Sequence, residues 1–454
     1  MKKILQIGEG NFLRAFAEDY IQKANENGLI NKEVVICQPR SNTKIINALK
    51  AQNCEYDINL AGRLNGEVIN ERKKITCDCK CIDSVSEYSI IEELFCSDDL
   101  EIVISNTTEA GICFDENENY DNKPNKNIPA RITSLLFKRY KSGKEGLIFL
   151  PVELIENNAQ TLKKYIIEYA ELWKLDEGFI SYIENECSFC NTLVDRIVSG
   201  HREGDKDPCS VSCEPYASWV IQADDRLKKV LPLDGFYGIQ FADDLTPYRT
   251  RKVRILNGTH TMSVLAAYMS GIDIVRDMMN NELFARYIDL GLSEIKQTIN
   301  LPKQELDSFA DSVMERFNNP FIDHKLFDIS LNSVSKFKAR CLPSILDYMR
   351  INNKAPRILS FALAALIAFY SKDGTEREYT PNDSPEVLEF FKNAGDGALN
   401  VTKTCTDVLA NTTFWGEDLT KYESLLTAVE KRCNSIKTNG IEKSLNEVVY
   451  GENI

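Results

Sequence analysis

Histidine is scarce in this chain, with three in 454 residues. So few imidazoles leave little from which to build a catalytic zinc site, which needs His, Cys or carboxylate ligands at recognisable spacing. The fourteen cysteines do not make up the deficit. Cys77, Cys79 and Cys81 alternate as on one face of a strand, and Cys187 and Cys190 form a lone C-x2-C with no matching second pair. Positive charge is also short: 54 Lys and Arg stand against 68 Asp and Glu, for a net charge of −14. That balance excludes a nucleic-acid partner, because a phosphate backbone calls for a basic surface. Long apolar runs are missing too. The longest, Leu359–Tyr370, is too short to span a bilayer and reads as a buried helix, so no membrane partner is expected. Met1-Lys2-Lys3 runs straight into Ile4–Ile7, too brief an apolar stretch for a secretory leader. The expected setting is therefore the cytoplasm, with reduced thiols.

What is present describes a folded protein of more than one core. Apolar residues make up 43% and charged residues 27%, and the length favours two domains of roughly 200 residues each. Lys3–Ile7 reads as a strand that runs at once into Gly8-Glu9-Gly10-Asn11-Phe12. Apolar residues then recur at helical spacing through Phe16, Tyr20 and Ile21. Strand, glycine turn and helix is the context of a dinucleotide fingerprint, whose glycines admit a pyrophosphate to a helix N-terminus. Leu13 stands where the third glycine belongs, so the stretch reads either as a cofactor loop or as a plain tight turn. A second strand, Glu33–Cys37, ends in Gln38-Pro39-Arg40 and not in the acidic residue that grips an unphosphorylated ribose. Arg40 would face a 2′-phosphate or be a solvated loop residue, which leaves NAD and NADP both open. A third strand, Leu100–Ser105, delivers Asn106 and Thr107 to the carboxyl end of the sheet, where ligands of parallel α/β sheets bind.

From about residue 255 the pattern becomes helix after helix: Met262–Ser270, Pro302–Phe317, Leu326–Met349, Arg357–Ser371 and Pro385–Ala394. The fold class expected is α/β, with a Rossmann-type dinucleotide-binding domain over 1–245 followed by a mainly α-helical domain over 246–454. At the join lies K-x4-N-x2-H: Lys252, Asn257 and His260. On a helix, at about 100° per residue, Lys252 falls about 80° from His260, and Asn257 shares the face of His260. A lysine that moves a proton beside an amide that holds an oxygen suits carbonyl/alcohol chemistry. Arg251 and Arg254 flank the lysine and would lower its pKa toward working pH. The same residues also read as a basic helix start with a solvated lysine, an Asn cap and a structural histidine.

Several stretches, taken in order, resemble one family. They are Gly8-Glu9-Gly10-Asn11-Phe12-Leu13-Arg14, Ser105-Asn106-Thr107-Thr108-Glu109-Ala110-Gly111, Glu153-Leu154-Ile155, Thr192–Val198, Arg251–Thr261, Lys336–Arg340 and Phe361–Tyr370. Together they resemble the polyol-specific long-chain dehydrogenase/reductases, also called the mannitol dehydrogenase family. The resemblance implies a metal-independent, NAD-dependent oxidoreductase acting on a CH–OH group. It assigns Lys252 as acid/base, Asn191 and Asn257 as the amides that hold the substrate oxygen, and His260 as partner of a neighbouring hydroxyl. It places Gly8, Gly10, Asn11 and Phe12 at the cofactor and makes Lys336 a second substrate-contacting lysine. Two departures tell against plain mannitol as substrate: Asp328 stands where mannitol dehydrogenases carry an arginine, and Gln222-Ala223 replaces the acidic residues expected after Trp219-Val220-Ile221. A hexuronate carries a carboxylate that wants Arg or Lys. Lys336 and Arg340 are the candidates, unless they are solvated bases near a helix end. The expectation is reduction of a 5-keto hexuronate (tagaturonate) to altronate in hexuronate catabolism. Fructuronate reduction or another polyol dehydrogenation is the alternative within the class, and a nucleotide-binding protein without turnover is the alternative outside it. Oligomeric state is left open.

Overall fold

A computed structural model describes residues 1–40, 43–107, 111–395 and 401–451. The chain divides into two compact units, one of residues 1–62 and 67–245, the other of residues 63–66 and 246–454.

The N-terminal unit is built on six parallel strands: Lys2–Ile7, Lys32–Gln38, Asp78–Asp83, Leu100–Ser105, Ile148–Pro151 and Ser188–Phe189. Numbered in chain order, they lie across the sheet as 3-2-1-4-5-6, the doubly wound order whose direction reverses beside the first strand. The strands are near-continuous apolar runs because both faces are covered. Ile4, Val34, Ile36, Ile102, Ile104 and Ile148 enter one core. Their neighbours Leu5, Ile7, Val35, Cys37, Val103 and Phe149 enter the other, beneath helices Ile128–Lys141 and Asn158–Leu172. A four-stranded sheet containing Tyr56–Leu64 and Glu67–Ile75 and a three-stranded sheet of Thr192–Asp195, Ser218–Ile221 and Ile239–Phe241 complete the unit. Cys77 and Cys81 pack into the same core; the side chain of Cys79 lies outside the described residues.

The helix after the glycine turn is not the single run that its apolar spacing suggests. It breaks into Asn11–Arg14 and Ala17–Glu26, with Phe16 at φ −129°, ψ −77° between them. Arg14 explains the break. Its buried guanidinium donates to Glu9 O and to Asn11 Oδ1, as well as to Cys209 O, and so ties the short first helix down on its own.

The C-terminal unit is helical and centred on Arg357–Ser371, of which Ile358–Tyr370 are all buried. A helix apolar all round belongs in an interior, and this one packs against Gly258–Met269, Glu282–Lys296, Glu423–Asn439 and Ile441–Tyr450. Its N-cap is Pro356, which offers no capping side chain. Glu294 from the neighbouring helix closes that end instead, accepting from Ile358 N and Leu359 N at 2.9–3.1 Å. The long helix expected over Leu326–Met349 is three helices, Leu326–Ile329, Ser333–Arg340 and Leu342–Asn352. Asn332 in the left-handed region (φ 55°) separates the first two, and Pro343 opens the third. No helix among the described residues is long and apolar enough to cross a membrane.

Candidate functional site

In the N-terminal unit, Gly8, Gly10, Asn11, Phe12, Arg40, Asn106 and Thr107 gather at the carboxyl ends of three adjacent strands, Lys32–Gln38, Lys2–Ile7 and Leu100–Ser105. The two glycines are there for different reasons. Gly8 has φ +125°, and a Cβ on it would sit 2.8 Å from Asn106 O, so the close approach of the two strand ends requires it. Gly10 has an ordinary φ of −64° and nothing within 4 Å of a would-be Cβ. No internal contact or backbone strain calls for glycine at that point. It opens space at the start of Asn11–Arg14, where no side chain caps the first N–H groups. A pyrophosphate fits such a cradle. Leu13, in place of the third glycine, is buried, and its Cδ1 lies 3.1 Å from the Gly8 Cβ position. Phe12 stacks on Phe16 at 4.8 Å. Arg40 is exposed and reaches Thr107 O at 3.5 Å.

Thr107 is held by a residue to which the sequence reading gave no role. Glu153, 2% exposed, accepts from Thr107 N (2.9 Å), Thr107 Oγ1 (3.0 Å) and Ser105 Oγ (3.1 Å). Burial pushes its carboxyl above the usual range. Thr108, Glu109 and Ala110 of the same motif lie outside the described residues.

Asn191, also in this unit, has its oxygen engaged. Oδ1 accepts from Ala159 N (3.0 Å) and Gln160 N (3.3 Å) at the start of Asn158–Leu172. Its Nδ2 donates to Gln222 Oε1 at 2.9 Å, and Gln222 passes the chain on to Asp243 O at 2.7 Å. The departure Gln222 is thus the orienting partner of Asn191. What Asn191 retains for a ligand is its second amide hydrogen.

In the C-terminal unit, Lys252–Asn257 is a π-helical turn between helices Thr246–Arg251 and Gly258–Met269. The 100° spacing assumed from the sequence therefore does not hold here. A π turn closes i→i+5, so Lys252 and Asn257, five apart, lie one turn apart as residues four apart do on an α-helix. His260 follows in regular α-helix, three residues beyond Asn257. The wider turn puts lysine and amide one turn apart on the same side of the helix. The flanking arginines are both held in ion pairs. Arg251 is paired with Glu305 (2.6 Å) and lies over Phe309, while Arg254 is paired with Asp347 (2.6 Å) and with Thr298. Both arginines are thus ion-paired, with Asp347 shared with Arg350, and the pairs clamp the turn.

His260 is stacked on Phe317 (4.0 Å between centroids, 5°) and met edge-on by His324 (5.5 Å, 88°). Its Nε2 is buried without a hydrogen-bond partner, which leaves one ring nitrogen with capacity for a ligand hydroxyl. Burial, His324 and then the cations Arg316, Arg340 and Lys336 hold its pKa well below the ordinary imidazole value. Lys336 and Arg340, four apart on Ser333–Arg340, share one face. Lys336 Nζ donates to Ile329 O at 3.0 Å and Arg340 to Thr261 Oγ1 at 3.3 Å. Burial, then their mutual proximity, pushes the lysine pKa down. His324 and Arg316 belong to this cluster and were not singled out from the sequence. They lie 64 and 56 residues from His260, too far for spacing to reveal them.

Two family models match the chain in succession: the mannitol dehydrogenase Rossmann domain over residues 2–235 and the mannitol dehydrogenase C-terminal domain over residues 244–437. An altronate oxidoreductase of Phocaeicola vulgatus is 38% identical over 471 residues, covering 99% of this chain and 96% of the relative. Another, of Bacillus subtilis, is 38% identical over 466 residues, covering 98% and 95%. Among solved structures, a substrate-free D-sorbitol dehydrogenase superposes with TM-score 0.80 at 18% identity, covering 97% of this chain and 94% of that one. The Pseudomonas fluorescens mannitol 2-dehydrogenase complex with NAD and D-mannitol superposes with TM-score 0.68 at 21% identity, covering 99% and 95%. These likenesses agree with the parallel 3-2-1-4-5-6 sheet, the glycine cradle and the helical second unit, and the chain belongs to the mannitol dehydrogenase family.

Proposed function

We propose that this chain catalyses the reversible, NAD-linked reduction of tagaturonate to altronate in the cytoplasm, with residues 1–245 binding the dinucleotide and 246–454 the sugar acid. The observation that carries the reading is the set of cations, Arg316, Lys336 and Arg340, whose charges act on His260 in a protein of net charge −14. A local excess of positive charge in an acidic protein suits an anionic substrate, and planar Arg suits a carboxylate. The names of the two full-length relatives point to the same substrate class.

Reduced NAD, when bound, supplies the hydride that adds to the substrate carbonyl carbon. Gly10, the uncapped N–H groups of Asn11–Arg14, Asn106 and Thr107 would hold it. As negative charge grows on the carbonyl oxygen, the Asn257 carboxamide donates to it and Lys252 delivers a proton. His260, neutral by virtue of its burial, binds an adjacent hydroxyl through Nε2, and Lys336 and Arg340 bind the carboxylate. The test is oxidation of NADH, and separately NADPH, with tagaturonate, fructuronate and fructose at equal concentration. Fastest turnover with tagaturonate and NADH is expected. A preference for fructose, or no turnover with any pair, overturns the reading.

A further inference from the structure

The sheet itself places the buried carboxylate of Glu153. Strand Ile148–Pro151 runs parallel to Leu100–Ser105 with Pro151 beside Ser105, and Val152 N donates to Ser105 O at 2.8 Å. Glu153 follows at once, and its side chain reaches back across the end of the neighbouring strand. One oxygen accepts from Ser105 Oγ (3.1 Å), the other from both N and Oγ1 of Thr107 (2.9 and 3.0 Å). Its backbone is held as firmly, for Asn158, 1% exposed, donates to Glu153 O (3.1 Å) and Pro151 O (2.9 Å). Asn106 is thereby straddled, with a residue on each side of it gripped by one carboxylate. Its N donates to Ile7 O at 3.1 Å, and its carbonyl lies against Gly8. Gly111 packs on Thr107 so closely that a Cβ there would collide with it. With Ser105 and Thr107 both turned toward Glu153, the alternation of extended backbone turns Asn106 the other way. Taking a carboxylate out of water is costly, and the three groups that offset the cost here are uncharged donors. Apolar side chains would join the two strand ends at less cost. What the carboxylate adds is direction, because three hydrogen bonds permit one setting of residues 105–107.

We propose that Glu153 is a positioning residue for the dinucleotide: by gripping Ser105 and Thr107 it presents Asn106, which lies between them, to the cofactor in a single setting. The inference rests on the reading of residues 1–245 as the dinucleotide-binding domain. Glu153 does not touch the cofactor and acts only through the segment it holds. Without its carboxylate, the N–H of Thr107 loses its acceptor and the two hydroxyls are free to turn. The segment must then be ordered at the moment of binding, and affinity falls. A glutamine keeps the grip, since its oxygen accepts from Thr107 while its amide donates to the Ser105 hydroxyl.

The experiment titrates NADH by fluorescence, with no sugar present, into wild type, Glu153→Ala, Glu153→Gln, Ser105→Ala, Asn106→Ala and the double variant Glu153→Ala/Asn106→Ala. Glu153→Ala is expected to weaken NADH about tenfold, and Glu153→Gln to stay within about threefold of wild type. Ser105→Ala, which removes one of the three bonds and no group assigned to the cofactor, is expected to weaken it about threefold. It decides the matter alone if Glu153→Ala does not fold. In the double variant the loss should be clearly less than the product of the two single losses, because both act through one contact. A Glu153→Ala protein with a lowered melting temperature but wild-type affinity overturns the proposal, since the carboxylate then serves stability only. So does a glutamine variant as weak as the alanine variant, an unchanged affinity in Ser105→Ala, or single losses that multiply in full. These results leave the dinucleotide reading intact. A wild-type protein that binds neither NADH nor NADPH overturns both.

Discussion

Gly10 and Lys252 each make a claim that one substitution can test. Because a Cβ on Gly10 meets nothing within 4 Å, Gly10→Ala should leave the melting temperature of the free protein unchanged. Binding of NADH should weaken by an order of magnitude or more, about 1.4 kcal/mol, read by titration of cofactor fluorescence. Unchanged affinity would mean that no phosphate approaches there. Lys252→Ala should lower turnover about 10²–10⁴-fold while NADH affinity persists; retained turnover removes the lysine from the chemistry. His260 makes a claim about acid stability. Its pKa is depressed in the folded state, so the unfolded chain takes up a proton near pH 6.5 that the folded chain refuses. Stability is therefore full above that value and falls below it, by about 1.4 kcal/mol per pH unit for one proton. Melting temperatures from pH 7.5 to 5 should show this slope in wild type and a shallower one in His260→Gln. Residue identities such as these were legible in the sequence, because strand, glycine turn and K-x4-N-x2-H are local. Their partners were not. Glu153 meets Thr107 across 46 positions, and His324 meets His260 across 64; a pattern read along the chain carries no record of such pairings.

At the scale of elements, the π turn decides the geometry of the lysine motif. Its carbonyls are offset from the ordinary i→i+4 ladder, and the Thr259 hydroxyl takes up one of them, donating to Ile255 O at 2.5 Å. Thr259 is fully buried, so Thr259→Val, which keeps the shape and removes the donor, should destabilise the protein by about 1–3 kcal/mol. If the wide turn relaxes as a result, kcat should fall as well, through the spacing of Lys252 and Asn257. A variant as stable and active as wild type would show that the hydroxyl does not support the turn. The sequence hid this turn because apolar periodicity counts only which residues are inside, and Ile255 and Leu256 are buried in a π turn as they would be in an α-helix. The same blindness merged Leu326–Met349 into one helix. The buried positions keep their spacing across Asn332, whose left-handed backbone breaks the run. By contrast, Arg357–Ser371 was legible to the residue, because thirteen consecutive buried residues between Pro356 and Lys372 leave no other assignment.

On the scale of the whole molecule, each unit follows its own rule of burial: alternation across a sheet covered on both faces in one, concentric helices in the other. The second rule has a consequence for how the protein is made. The central helix Arg357–Ser371 has no polar side to show to water, and one of the helices that covers it, Glu423–Asn439, is encoded about fifty residues later. At ordinary translation speeds the ribosome needs about 3–10 s to close that gap. For that interval the nascent chain carries a wholly greasy segment with part of its shelter still unmade. A messenger truncated just before Glu423 should therefore yield protein that sediments with the insoluble fraction. The full-length chain should depend on holding chaperones most strongly while residues 372–422 are being synthesised, which ribosome-bound chains arrested at successive lengths would reveal.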